Sequence, residues 1–517
     1  MTNAVSCPTT ASFLLVLRHS SKEEAPLKVN DASPISVSID TVNGVHAVII
    51  GQQIDGVGVQ FLGIRYAQTP VGARRFQNAV RLDPSGNISA IAYAPHCVQT
   101  LPPYPSGSIP PADQEGEDCL GLNIWTPTSA TPSSKLPVLV WLHGGALEVG
   151  HAELLVPGIF NNLVNRGPLI IVSVNYRLGP FGFFSSRDSA VPGNAGFSDQ
   201  IEALLWVRRY ISFFGGDPNQ VTLGGQSSGA ESVSALTLTS ATAGLFQRVI
   251  LQSGTAFGTG HWSYSEDTRN TSRQLAIGLN CTTDAQWAAS TNRSAIVDCI
   301  RRVSVADLQA ANAKMTWNGN NMYDYKWGPD SILFPVKIES AAAARRPVNV
   351  LGGVCNAEWV GPYESKFQAN GPGIDYFTLQ NVTNEVTQAY NMRFWDNPAK
   401  VIDATVNYYF NSVNASQTDH VVWALQGIKA NGAKQWLYSF DYLSPNALTF
   451  VPASIRGVPH AWDLQYMEGT AGWGDPQNHE ATAFTPQPKV GLGFHPSAVF
   501  IACTAPAIDG RKPAFCP

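Results

Sequence analysis

Residues 136–142, Leu-Pro-Val-Leu-Val-Trp-Leu, form a nearly unbroken apolar run. A strand with one wet face alternates apolar and polar side chains. A run this continuous suits a strand covered on both faces, as in a parallel sheet with helices above and below. Leu169 to Val174 (Leu-Ile-Ile-Val-Ser-Val) repeats the pattern, and shorter runs follow at Val249 to Leu251 and Val348 to Leu351. Between them lie helical patterns. Residues 201–213 place Ile201, Leu204, Leu205, Val207 and Ile211 near one face, and Phe214-Gly215-Gly216-Asp217-Pro218 stops the helix. Strand and helix in alternation imply right-handed βαβ units, hence an α/β fold with a large, mostly parallel central sheet flanked by helices. No linker separates the units, so residues 35–517 read as a single domain. Residues 1–34 are polar and mixed and read as a peripheral segment, a candidate signal or pro-segment. The chain turns β-rich from Val37 through Phe61, and Leu101 to Asp113 is a Pro-, Gly- and Ser-rich loop.

Composition removes several function classes. Lys and Arg number 33 against 38 Asp and Glu, a net charge of -5, and the basic residues are scattered pairs such as Arg208-Arg209. Nucleic-acid binders carry a basic patch or stripe, so none is expected as a partner. No apolar run approaches the ~18 residues of a membrane span, so no integral membrane segment is expected. Eight cysteines occur without a CxxC pair, which leaves zinc ribbons and thioredoxin-like motifs unsupported. Cys97 with Cys119, and Cys281 with Cys299, are close enough in sequence for local disulfides, but spacing alone leaves free thiols equally open. Residues 11–17 (Ala-Ser-Phe-Leu-Leu-Val-Leu) lack the basic residues that precede a secretory apolar segment. Sequons at Asn87, Asn270, Asn280, Asn292, Asn381 and Asn414 permit glycosylation without requiring it.

Two motifs carry chemistry. Gly225-Gln226-Ser227-Ser228-Gly229 lies between a predicted strand ending at Gln226 and a helical pattern from Ser228. A nucleophile on such a turn needs small flanking residues, and the following helix N-terminus places N–H groups beside developing negative charge. His143-Gly144-Gly145-Ala146 directly follows the 136–142 run. A loop of this kind after an earlier strand supplies N–H donors to an acyl oxygen. Each motif alone is also compatible with a Gly-rich turn. Both fall at the C-terminal ends of predicted strands, where open α/β sheets bind their ligands.

These segments resemble the type B carboxylesterase/lipase family, the cholinesterase-like α/β-hydrolases, over roughly residues 37–470. Glu117-Asp118-Cys119-Leu120-Gly121-Leu122-Asn123 is similar to the family's acidic-Cys-Leu signature, and Phe61 to Ala67 to its N-terminal block. Asn175-Tyr176-Arg177-Leu178-Gly179, Pro192-Gly193-Asn194, Asp199-Gln200 and residues 214–218 resemble its framework segments. The resemblance implies an α/β-hydrolase fold and a Ser-Glu-His triad in that chain order. The acid is expected after a strand downstream of Ser227; Glu358 follows the predicted 348–354 strand and matches the family position, with Asp330 the rival. His420 falls in a helical pattern. The residues leave His460, His479 and His495 open, and the resemblance selects His460. It also implies disulfides Cys97–Cys119 and Cys281–Cys299, an indirect supporting role for Ser253 near the acid, and a secreted or extracellular location.

Several positions depart from the family pattern: Gly121 for a bulky residue, Ala146 for a third Gly, Cys355 for Asn, Trp359 after Glu358, Ala461 after His460, and an atypical C-terminal tail from about 470. Ala146 keeps its N–H while its methyl narrows the site.

The expected activity is hydrolysis of carboxylic esters through an acyl-enzyme, as a carboxylesterase or a lipase acting on a small-molecule or lipid ester. Ser227 attacks, His460 moves the proton, Glu358 orients His460, and the N–H groups of Gly145, Ala146 and Ser228 hold the oxyanion. This chemistry calls for no metal and no organic cofactor. The alternatives are a non-catalytic binding or adhesion protein on the same fold, and an acyltransferase in which an alcohol replaces water.

Overall fold

A computed structural model describes residues 35–54, 58–99, 114–154, 167–186, 188–256, 271–316, 325, 327–330, 332–335, 340–341, 348–355 and, for the backbone alone, 435–440. Glu358, His460 and the tail beyond 470 lie outside these residues, as do residues 1–34.

The strands are β1 (Ile35–Asp40), β2 (His46–Ile54), β3 (Gly58–Arg65), β4 (Gly86–Ser89), β5 (His96–Cys97), β6 (Glu115–Gly116), β7 (Gly121–Thr126), β8 (Leu136–Leu142), β9 (Ile170–Val174), β10 (Gly216–Gln226), β11 (Arg248–Gln252), β12 (Asn349–Cys355) and β13 (Gln435–Phe440). Eleven of them form one sheet, in the order β1-β2-β3-β7-β9-β8-β10-β11-β12-β13 with β4 beside β2. The block from β9 to β13 is parallel throughout. On the other side, β1, β2, β3, β7 and β9 pair antiparallel. β5 and β6 make a separate two-stranded ladder.

The apolar runs have a direct physical basis. On β8, Val138, Val140 and Leu142 enter the main core, while Trp141 and Leu139 join a second cluster with Ile54, Leu62, Trp125 and Ile171. On β9, Ile170, Val172 and Val174 face the first core and Ile171 the second. Both pleat faces are dry, so the period-2 alternation is absent.

The principal helices are α1 (Gly179–Phe183), α2 (Ala195–Tyr210), α3 (Ser228–Leu236), α4 (Thr271–Gly278), α5 (Asp284–Ala289), α6 (Ser294–Arg301) and α7 (Val305–Thr316). α2 begins six residues before the periodic pattern at Ile201, behind Asn194 at φ 60°, and hands over to a 3₁₀ turn at Ile211–Phe214. Thirteen of its 16 residues are buried, Asp199 among them. Asp199 accepts from Arg177 Nε at 2.8 Å, from Arg177 Nη2 at 2.6 Å and from the Arg177 backbone N–H at 3.0 Å. Desolvation pushes its carboxyl up and Arg177 opposes the shift. A helix that carries its own buried ion pair is not a one-sided amphipathic helix, which is why the apolar stripe marked only part of it.

Cys97–Cys119 and Cys281–Cys299 are disulfides. The first ties β5 to the residues that lead into β7. Gly121 has a packing reason: a Cβ there would stand 2.6 Å from that of Ala94.

Candidate active site

Parallel register sets the site. Leu142 is level with Gly225, Gly225 with Leu251, and Leu251 with Gly352. The C-terminal ends of β8, β10, β11 and β12 therefore open onto one edge of the sheet. His143 follows the first, Ser227 the second, Ser253 the third, and Glu358 lies three positions after the last residue of β12 in sequence.

Ser227 is the single residue between β10 and α3, with φ 54° and ψ -127°. Positive φ in a residue with a Cβ costs of order 1–3 kcal/mol and persists only where the surroundings impose it. Here its N–H donates to the Gln252 carbonyl at 2.8 Å, and its carbonyl accepts from Glu231 N–H at 2.9 Å. The turn is also compressed. A Cβ on Gly225 would lie 2.5 Å from the Gly229 carbonyl carbon, a Cβ on Gly229 would run into the Leu142 carbonyl oxygen, and a Cβ on Gly254 into that of Ser227. The two outer glycines of the pentapeptide are thus steric requirements. Ser227 is half-buried while the residues on either side of it are buried.

The loop after β8 is built equally tightly. Gly145 has φ 112° and its carbonyl accepts from both Glu148 N–H at 3.0 Å and Val149 N–H at 2.9 Å. Ala146 and Leu147 follow at φ 59° and 62°. Leu147 N–H donates to Ser228 Oγ at 3.1 Å and Leu147 carbonyl accepts from Gly179 N–H at 2.7 Å. This clamps the loop to the start of α3. The N–H groups of Gly145 and Ala146 donate to no acceptor among the described residues. Ala146 accepts a left-handed conformation that glycine would adopt without strain, while its N–H remains a donor.

His143 fastens the base of this loop. Its ring is buried and stacks on Tyr176, with centroids 4.3 Å apart and planes 15° from parallel. Its Nδ1 donates to the Gly144 carbonyl at 2.8 Å, and Tyr176 Oη donates to the His143 carbonyl at 2.6 Å. Desolvation holds the imidazole neutral by lowering its pKa to about 4. His143 is therefore a structural strut, with Tyr176 as its backing. Tyr176 appeared in the sequence only inside a framework segment, because nothing in its local pattern reveals a partner 33 residues away.

Ser253 also has positive φ, 55°, and its N–H donates to the Gly353 carbonyl at 2.8 Å. It joins the Ser227 turn to β12, the strand that precedes Glu358 in sequence. Asp330, the rival acid, is engaged in structure: its Oδ1 accepts the N–H groups of Ile332 at 2.7 Å, Leu333 at 2.5 Å and Phe334 at 3.1 Å, and its other oxygen accepts from Asn194 Nδ2.

The arrangement can present a hydroxyl at the head of a helix, near a loop with two N–H groups that have no acceptor among the described residues, on the carboxyl edge of a sheet. Comparison with known proteins agrees with that geometry. The Carboxylesterase family profile matches residues 34–483. The chain is 29% identical to carboxylesterase 1E of Mus musculus over 461 residues, covering 81% of this chain and 78% of that protein. It is 32% identical to the medium-chain fatty acyl-CoA hydrolase precursor of Anas platyrhynchos over 441 residues, 79% of this chain and 74% of that one. Among solved structures, a PNB esterase superposes with a TM-score of 0.64 at 28% identity, covering 84% of each chain. A juvenile hormone esterase from Manduca sexta, with OTFP covalently attached, gives a TM-score of 0.67 at 24% identity over 85% of this chain and 86% of that one; at that identity it speaks for the α/β-hydrolase fold alone.

Proposed function

The chain belongs to the carboxylesterase family and is a carboxylic ester hydrolase; on that premise we propose that Ser227 is its nucleophile and that Glu358 and His460 complete the triad. The observation that carries this reading is the conformation of Ser227, φ 54° and ψ -127°, at the junction of β10 and α3. No strand continues and no helix begins with such a residue, so the fold bears its cost at the one position where a hydroxyl is needed at the rim.

In the proposed reaction His460 takes the proton of Ser227 Oγ as the oxygen attacks the ester carbonyl. Glu358 orients His460 and stabilises the imidazolium. The carbonyl oxygen becomes an oxyanion held by the N–H groups of Gly145, Ala146 and Ser228, with the α3 dipole adding to the field. His460 then protonates the departing alcohol, and water repeats the sequence on the acyl-enzyme. The substrate is a small-molecule ester; whether lipid esters are also taken is tested with a p-nitrophenyl series of increasing acyl length.

We place residues 35–517 in one α/β-hydrolase domain. Two disulfides support synthesis in an oxidising compartment, and secretion is the location proposed. The test of the assignment is covalent: a fluorophosphonate probe should label Ser227 of the folded chain, identified by peptide mapping. Folded protein that resists the probe would favour a binding protein, and labelling at another serine would move the nucleophile.

A further inference from the structure

Just past the oxyanion loop, His151 and Glu153 project from the start of a 3₁₀ turn (Ala152–Leu154), and His96 meets them from β5. His96 Nε2 lies 2.7 Å from Glu153 Oε1, and the side chains are 3% and 29% exposed. The His96 and His151 rings stack with centroids 4.0 Å apart and planes 26° from parallel. One donor atom from each of the three residues lies within 4.8 Å of the other two. Two buried nitrogens, His96 Nδ1 and His151 Nδ1, have no hydrogen-bond partner among the described residues. An imidazole–carboxylate pair needs only one histidine. A second imidazole stacked on the first, with no acceptor for its buried nitrogen, is surplus to that purpose and is explained by a shared ligand.

We propose that His96, His151 and Glu153 form a binding site for a divalent transition-metal ion of the zinc type. Two imidazole nitrogens and one carboxylate favour zinc, cobalt, nickel or copper over magnesium and calcium, which prefer oxygen donors. Three protein ligands leave a fourth position for water. Tetrahedral zinc wants donors about 3.3 Å apart, so side-chain movements of about 1 Å would bring the three donor atoms, now within 4.8 Å of one another, to that spacing. Glu115, opposite His96 in the β5–β6 ladder, has a buried Oε1 without a partner among the described residues and is a candidate to accept an imidazole N–H behind the metal.

The position gives the ion a role. His151 follows Gly150, whose N–H donates to Gln99 Oε1 at 2.9 Å and whose carbonyl accepts from Gln99 Nε2 at 2.9 Å. β5 and the far end of the oxyanion loop are already stitched together there, and Cys97 beside His96 is anchored by its disulfide. A metal ion would lock the same junction, five residues beyond Ala146, so it acts as a clamp on the loop and not as a participant in ester cleavage.

The test is independent of ester turnover. Full-length protein stripped with a chelator is dialysed against Zn²⁺, and bound metal is counted by mass spectrometry. About one ion per chain is expected in the parent, with affinity reduced about tenfold or more in His151→Ala and in Glu153→Gln. The Co²⁺ form should show ligand-field bands in the visible that both variants lose. His151→Gln, which keeps a polar side chain, serves if the alanine variant misfolds. No stoichiometric zinc in the parent, or equal uptake by parent and variants, overturns the site and leaves the nucleophile assignment untouched.

Discussion

Gly144 and Ser227 are packed so closely that a methyl group on Gly144 would stand 3.1 Å from Ser227 Cβ and 2.8 Å from the Gln226 carbonyl oxygen. The loop proposed to donate and the turn proposed to attack are separate in sequence by more than 80 residues, yet no atom can be added between them without a shift. Gly144→Ala should therefore push the loop away from the elbow. The loss of one aligned donor lowers kcat by about 10²–10³. Steady-state kinetics on p-nitrophenyl butyrate decide the matter: a kcat close to the parent value would show that the loop is not the oxyanion site.

Ser227→Ala should reduce kcat by about 10⁴–10⁶ and abolish probe labelling. Circular dichroism should be unchanged, because the backbone bonds of Ser227 to Gln252 and Glu231 need no hydroxyl. Turnover within about tenfold of the parent would remove Ser227 from the role assigned to it.

The Cys97–Cys119 bridge closes a loop of 22 residues. Replacing both cysteines by serine should cost about 3 kcal/mol. The expected readout is a lower thermal midpoint and faster proteolysis between residues 97 and 119. An unchanged midpoint would mean that the bridge adds little to what β5, β6 and β7 already hold.

His143 makes stability depend on acid. Unfolded, its imidazole titrates near 6.5; folded, near 4. Between those values the unfolded chain binds the extra proton, so the stabilisation is complete above 6.5 and is lost as pH falls toward 4. The full window corresponds to about 3 kcal/mol. His143→Phe keeps a ring to stack on Tyr176 and removes the titration, so its urea midpoint should fall less steeply across this range. Identical slopes for parent and variant would place the acid sensitivity elsewhere.

Legibility in the sequence followed locality. The run at 136–142 became β8 with the same bounds, and the predicted break at Gln226-Ser227 is where β10 meets α3. Both are signalled by neighbouring residues. The start of α2 was not legible, because Asp199 is buried by an arginine 22 positions earlier and reads as a surface residue in any local window. The antiparallel block β1-β2-β3-β7 was partly visible as alternation after Val37, but its joining to β9 is a long-range pairing that no short pattern announces. In the site, the glycines and Ser227 were readable from turn chemistry. The support of His143 by Tyr176 was not, nor was the meeting of His96 with His151 and Glu153, since each brings together residues tens of positions apart in sequence. The triad order came from family likeness, as the residues alone left three histidines open.

The bond from Ser227 N–H to the Gln252 carbonyl means that the elbow has no complete shape until β11 has docked beside β10. A nascent chain that has emerged only through residue 236 possesses the whole pentapeptide and the whole of α3, yet lacks the acceptor that holds Ser227 in place. The turn that carries the proposed nucleophile therefore takes its final shape late in synthesis, only after a downstream strand has been threaded into its slot.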